Sequence, residues 1–134
     1  MTTTLPPAAN PFDDPATDPM ALAADAAAVI AQRSGSATHD IALVLGSGWG
    51  QTADLVGQTL ATIPNEDVPG FHRAAVAGHS GAMRSVAIGD TGRRALVFGT
   101  RTHFYEGRGV RAVVHGVRTA AAAGCRAVVL TNGC

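Results

Sequence analysis

The chain has 134 residues, 46% hydrophobic and 15% charged, the composition of a single globular domain able to bury a core. Ten acidic residues balance ten basic ones without any run of like charge, which argues against a nucleic-acid or anionic-membrane surface. All ten basic residues are arginines, so each fixed cation is a planar fork suited to phosphate or carboxylate. No apolar run is long enough to span a membrane and no secretory leader pattern precedes the first element. Cys125 and Cys134 have no metal-ligand spacing, and together these features lead us to expect a cytoplasmic protein.

Residues 1–18 hold four of the seven prolines and almost no large apolar side chains. They read as a flexible N-terminal extension with Phe12 as its docking point, and the domain proper runs over 19–134. Asp18-Pro19 supplies an N-cap and a first-turn proline for a helix over Met20–Arg33, where Leu22, Ala26, Val29 and Ile30 share a face. Ser34-Gly35-Ser36 ends it.

Ile41–Leu45 is a run of five apolar residues bounded by glycine, the pattern of a strand buried on both faces. Gly46-Ser47-Gly48-Trp49-Gly50 then lets the backbone turn sharply ahead of a short helix, a combination that makes anion sites. Three familiar phosphate and nucleophile motifs fail here. The chain has no lysine for a P-loop. Gly50 falls too soon after Gly48 for a dinucleotide fingerprint, and Ser47 has its glycines too close for a nucleophile elbow.

Further strands are expected over Thr59–Ile63, Arg73–Ala77, Met83–Ile88 and Arg94–Phe98, the last two joined by the hairpin signal Gly89-Asp90-Thr91-Gly92. Val110, Val113, Val114 and Val117 repeat at helical spacing, predicting one helix over Val110–Ala123 with Gly124 as its stop. Ala127–Leu130 is a last buried strand running into Thr131-Asn132-Gly133-Cys134. The whole is an α/β fold, a mixed sheet flanked by helices. Ending at a strand tip, it reads as cut after about half a domain.

The chemistry gathers in loops at strand ends: Ser47; His79 within Gly78-His79-Ser80-Gly81; Arg101, His103, Tyr105 and Glu106; and the Asn132-Gly133 turn. Arg101, His103 and Tyr105 alternate and so point to one side of an extended segment, while Glu106 can turn back to orient a histidine. Arginine, histidine, serine hydroxyl and glycine N–H groups form a donor-rich cup for a tetrahedral dianion. A metal held by His79, His103 and Glu106 is the weaker reading, because Arg101 would repel a cation. His39, His72 and His115 carry no functional expectation.

In this order, Leu45-Gly46-Ser47-Gly48, Gly78-His79-Ser80-Gly81, Arg101-Thr102-His103-Phe104-Tyr105-Glu106-Gly107 and Val129–Cys134 resemble the trimeric, low-molecular-mass purine nucleoside phosphorylases. The resemblance implies phosphorolysis of purine (deoxy)ribonucleosides to free base and (deoxy)ribose 1-phosphate, with phosphate as co-substrate and no cofactor or metal. It implies phosphate contacts from Ser47, His79, Arg101, His103 and the backbone at Gly133, sugar contact from Tyr105, and Glu106 holding His103. It implies a homotrimer for the full-length protein, with no nucleic-acid or membrane partner. The family's chain is about twice as long, and its base-recognising residues fall outside this stretch. Methylthioadenosine phosphorylase is one alternative, although that branch usually carries threonine in the glycine turn and lacks the Tyr-Glu-Gly block. A non-catalytic remnant that binds phosphate or associates with other subunits is another. On a half-domain reading, Val44, Val97 and Val129 should be partly uncovered and the chain alone inactive.

Overall fold

The computed structural model describes residues 9–46, 48–73 and 81–132. The first long element, α1 (Pro19–Ser34), starts where the Asp18 carboxylate accepts hydrogen bonds from the backbone of Met20 and Ala21 at 2.8 and 3.3 Å. It stops at Gly35, whose φ of 68° favours glycine. Its buried face is mostly alanine (Ala23, Ala26, Ala27, with Ile30), which lets neighbouring backbone approach closely.

Strands β1 (Ile41–Val44), β2 (Gly57–Pro64), β3 (Ala82–Ile88), β4 (Arg93–Phe98) and β5 (Ala127–Leu130) form one mixed sheet in the order β2-β3-β4-β1-β5. Strands β2, β3 and β4 are antiparallel neighbours, the expected hairpin joining the last two. Strand β1 runs parallel to both β4 and β5, with Leu43 opposite Val97 on one side and Val129 on the other. The three parallel strands therefore end at the same edge of the sheet.

Strand parity divides the core. Ala42, Val44, Leu96, Phe98 and Met83 face a cluster with Ile30 of α1 and Ala120 and Ala123. Leu45, Val86, Ala95 and Val97 face the other way, against Ala53 of the short helix α2 (Thr52–Val56). Val44 and Val97 are thus buried, contrary to expectation, because helices cover both faces of the central strands. Val129 does stay 46% exposed, since β5 is an edge strand.

The single helix expected over Val110–Ala123 is broken at Val114, whose φ −89° and ψ −1° lie at the rim of the right-handed helical region. It becomes α3 (Val110–Val113) and α4 (His115–Ala122). Nor does the valine stripe face the core: Val110 is 60% and Val117 43% exposed. Ala112, His115, Thr119 and Ala120 go inside instead. Small residues suit the close packing of α4 on α1. His115 reaches the Pro69 carbonyl at 2.8 Å and lies between the rings of Phe12 and Phe71. Since a carbonyl only accepts, Nε2 carries the proton and Nδ1 is a bare acceptor, buried and without a partner among the described residues.

The expected docking point Phe12 is buried, its ring edge-on to His115 at 5.1 Å. Arg111 in α3 donates to the carbonyls of Phe12, Asp14 and Thr17, and the Asn10 side chain donates to the Arg108 carbonyl at 3.1 Å. From Asn10 onward, the segment before α1 is therefore tethered to the α3 region. The expected strand over Arg73–Ala77 falls, but for Arg73, outside the described residues.

His39 is buried against Ser85, with Nε2 2.8 Å from the hydroxyl. Burial and the nearby Arg94 guanidinium hold its pKa below the ordinary 6.5, although Asp40 pulls the other way. His115 is lowered as well, by burial first and Arg118 second, against the opposing bond to Pro69. A histidine whose folded pKa is depressed leaves the unfolded chain binding more protons at acidic pH. Stability is then retained above pH 6.5 and lost as pH falls through the lowered folded values. The urea midpoint should drop between about pH 7.5 and 5, and His39→Gln, which keeps a bond to Ser85 without the charge, should flatten part of that slope. An unchanged slope in His39→Gln would remove His39 from this account.

Candidate functional site

The common end of β1, β4 and β5 opens into a cleft of about 1000 Å³. Gly46 and Gly48 come to it from the turn after β1, and Arg101, His103, Tyr105 and Glu106 from the segment after β4. Phe71 and His72 enter from the loop after β2. The Arg-x-His-x-Tyr-Glu block thus shares this cleft with Gly46 and Gly48. Ser47, His79 and Gly133, the other expected phosphate contacts, lie outside the described residues.

Thr131, at the tip of β5, holds this junction. Its backbone N–H donates to the Val44 carbonyl at 3.0 Å and its hydroxyl donates to the same oxygen at 2.9 Å. The hydroxyl also accepts from the Gly46 N–H at 2.7 Å, and the Thr131 carbonyl accepts from Arg101 Nη1 at 3.2 Å. A Cβ on Gly46 would lie 2.9 Å from that carbonyl oxygen, so close approach of two backbones requires glycine here. The result places the Arg101 fork beside the glycine turn. Among the described residues this is the fork's one hydrogen bond, and no carboxylate pairs with it. The remaining N–H donors of the fork can therefore serve an anion.

Helix α2 contributes less than expected. Five residues long and without a side-chain cap, it has too little macrodipole to rival a full guanidinium charge. Arg101 is the dominant positive element of the cleft.

His103 and Glu106 frame a tight 3-10 turn, Phe104–Glu106. Glu106 Oε1 accepts from the His103 backbone N–H at 2.9 Å and lies 3.1 Å from His103 Nδ1. A carboxylate acceptor selects the Nδ1–H tautomer and leaves Nε2 for a ligand. Burial alone would raise the Glu106 carboxyl, but the hydrogen bonds from the His103 backbone and ring outweigh it, helped by the charge of His72 and His103 when either is protonated, and the pKa lies below the usual carboxylate range. The Tyr105 ring stacks on His103 at 4.8 Å and 16° and is otherwise exposed. Tyr105 thus reaches His103 through the 3-10 turn, not through the extended alternation expected from sequence.

His72, given no role from sequence, also belongs here. Its Nε2 lies 3.4 Å from Glu106 Oε2, the carboxylate oxygen that His103 does not use. Burial first and the Arg108 charge second lower its pKa, while Glu106 raises it, and the net favours the neutral ring. The only hint in sequence was its position just past Pro69-Gly70. Among the described residues, no three His, Cys, Asp or Glu side chains form a metal-holding group, and no helix is long and apolar enough to cross a membrane.

No protein-family profile matches the chain. It is 57% identical over 136 aligned residues to a purine nucleoside phosphorylase of Cellulomonas sp., covering 99% of this chain and 48% of the relative. It is 50% identical to the Mycobacterium leprae purine nucleoside phosphorylase over 86% of this chain and 42% of that one. The chain thus spans about half the length of the curated relatives it matches. Among solved structures, isoform 2 of the Schistosoma mansoni purine nucleoside phosphorylase, in complex with cytosine and ribose-1-phosphate, superposes with a TM-score of 0.71. That match is 29% identical and covers 84% of this chain and 38% of the other.

The junction yields a direct test. Thr131→Val keeps the shape but strands the Gly46 N–H, which should cost about 1–3 kcal/mol in urea unfolding. Thr131→Ser should recover most of it. Equal midpoints for wild type and Thr131→Val would show that the hydroxyl does not hold the two strand ends together.

Proposed function

The chain belongs to the purine nucleoside phosphorylase family over the portion of its relatives that it spans, and on that premise we propose that it contributes the phosphate side of a purine nucleoside phosphorolysis site. The observation that carries this reading is the Arg101 fork beside the glycine turn, next to a His103 oriented by Glu106. Phosphate would be held by Arg101 and His103, with Ser47, His79 and the Gly133 N–H completing the cup. Tyr105 would lie against the sugar.

In the reaction, a phosphate oxygen forms a bond to C1′ of the nucleoside as the bond from C1′ to the purine nitrogen breaks. The electron pair leaves with the purine, which then takes up a proton. Positive charge developing on the sugar is met by the phosphate dianion beneath it, so the charge balance calls for no metal or organic cofactor. His103 Nε2 can accept from a P–OH or, when protonated, donate to a phosphate oxygen. A homotrimer in the cytoplasm acting in purine salvage is the matching setting. The names of the relatives favour this reading over a methylthioadenosine phosphorylase.

Residues to hold the departing base are not assigned within these 134 positions, so the chain by itself is proposed to be inactive. The exposed apolar strand β5 favours the same view. The test follows inosine and guanosine phosphorolysis by this chain alone, then mixed with the portion of the Cellulomonas sp. relative that it does not span. Turnover should require both. In the mixture, Arg101→Ala should remove a charge-assisted bidentate contact worth about 1.5–3 kcal/mol, seen mainly as a higher phosphate concentration needed for half-maximal rate. Turnover by the chain alone would overturn the proposed division of the site. An unchanged phosphate dependence would remove Arg101 from the cup.

A further inference from the structure

The loop between β2 and β3 is joined to the segment after β4 at two points. The Asn65 side chain donates to the Thr100 hydroxyl at 3.1 Å, just before Arg101. His72 Nε2 faces Glu106 Oε2 at 3.4 Å, just past His103. Between them, Phe71 is fixed by stacking on Phe98 at 5.9 Å and 12° and by packing on His115 at 4.7 Å. His72 therefore projects from an anchored backbone toward the carboxylate.

Glu106 can bond His103 in only one useful way. Its Oε1 must face both the backbone N–H and Nδ1 of His103, which fixes the carboxylate plane. With Oε2 unconstrained, the carboxylate could rotate, share its oxygens and release His103 to the Nε2–H tautomer, the more stable form of a free histidine side chain. His72 constrains that second oxygen. Arg108, a second charged group near His72 among the described residues, disfavours positive charge on the ring. A neutral ring with its proton on Nε2 is the form that donates to Oε2.

We infer that His72 is a positioning residue for the phosphate cup: it holds Glu106 so that His103 stays in its Nδ1–H form with Nε2 directed to the anion. The inference rests on the phosphate-cup reading for its purpose, but its physical content can be measured without phosphate.

The experiment uses the 134-residue chain, isotope-labelled, with long-range proton–nitrogen spectra reporting the tautomer of each histidine ring. In wild type, His103 should read as the Nδ1–H tautomer. His72→Ala should shift it toward Nε2–H, and His72→Gln, whose amide N–H can reach Oε2, should restore it. Backbone amide spectra check that both variants keep the fold. Inorganic phosphate titrated into the same samples should bind several-fold more weakly to His72→Ala than to wild type or His72→Gln. A His103 tautomer that does not respond to His72→Ala overturns the inference, and so does a shift that His72→Gln fails to reverse. If the tautomer follows His72 as described but inorganic phosphate binds none of the three proteins, the positioning role stands and the phosphate cup falls.

Discussion

The structure depends on β1 being paired in parallel on both sides. A parallel pair needs a long crossover on each flank, and helices can then cover both faces of the strand. The two pairings also bring three strand ends to one edge, so that loops more than 80 residues apart meet there. At that edge Thr131 closes the structure, because the side chain and backbone of one residue serve Val44, Gly46 and Arg101 together. Sheet register and the placement of the cationic fork are therefore one constraint. A shift of β5 by one residue would move Arg101's acceptor and leave the Gly46 N–H unpaired.

What could be read from the chain beforehand follows the same logic. Signals that act locally were legible: the Asp18-Pro19 cap, the glycine stop of α1, the glycines of the β3–β4 hairpin and the short apolar runs of β1, β4 and β5. The block from Arg101 to Glu106 was legible because the bonds between His103 and Glu106 span three residues. The helix after Gly109 was misread for a reason of the opposite kind. Hydrophobic periodicity chose the valine face, but Phe12, Pro69 and Phe71, all distant in sequence, select the face carrying His115. Burial of Val44 and Val97 was misjudged similarly, since it depends on which helices cover each face of the sheet. His72 was silent because its partner lies 34 residues onward and no local pattern joins them.

The buried polar groups separate by role. His39 with Ser85 and His115 with Pro69 each join one ring nitrogen to a group on a different element, and burial keeps these rings neutral. They act as struts, and their cost appears when the solvent would protonate them. His103 and His72 are partly exposed and face the Glu106 carboxylate, although burial and the Arg108 charge still favour a neutral His72 ring. The histidines that brace the core and those that face Glu106 thus differ in partner and solvent access, not in residue type.

The exposed valines fit into the same picture. Val113, Val114 and Val117 line the same cleft as Arg101 and His103. An apolar wall lowers the local dielectric and strengthens the attraction between a guanidinium and an anion bound beside it. The same wall cannot hydrogen-bond a polar ring, so selection among nitrogenous bases needs donors and acceptors from elsewhere. A cleft lined by both apolar side chains and a guanidinium therefore favours a bound anion without supplying a hydrogen-bonding pattern for a ring. Phosphate is recognised by charge and by backbone at strand ends, which a few loops supply. A purine is recognised by the pattern of its edge, which needs a second set of elements facing it.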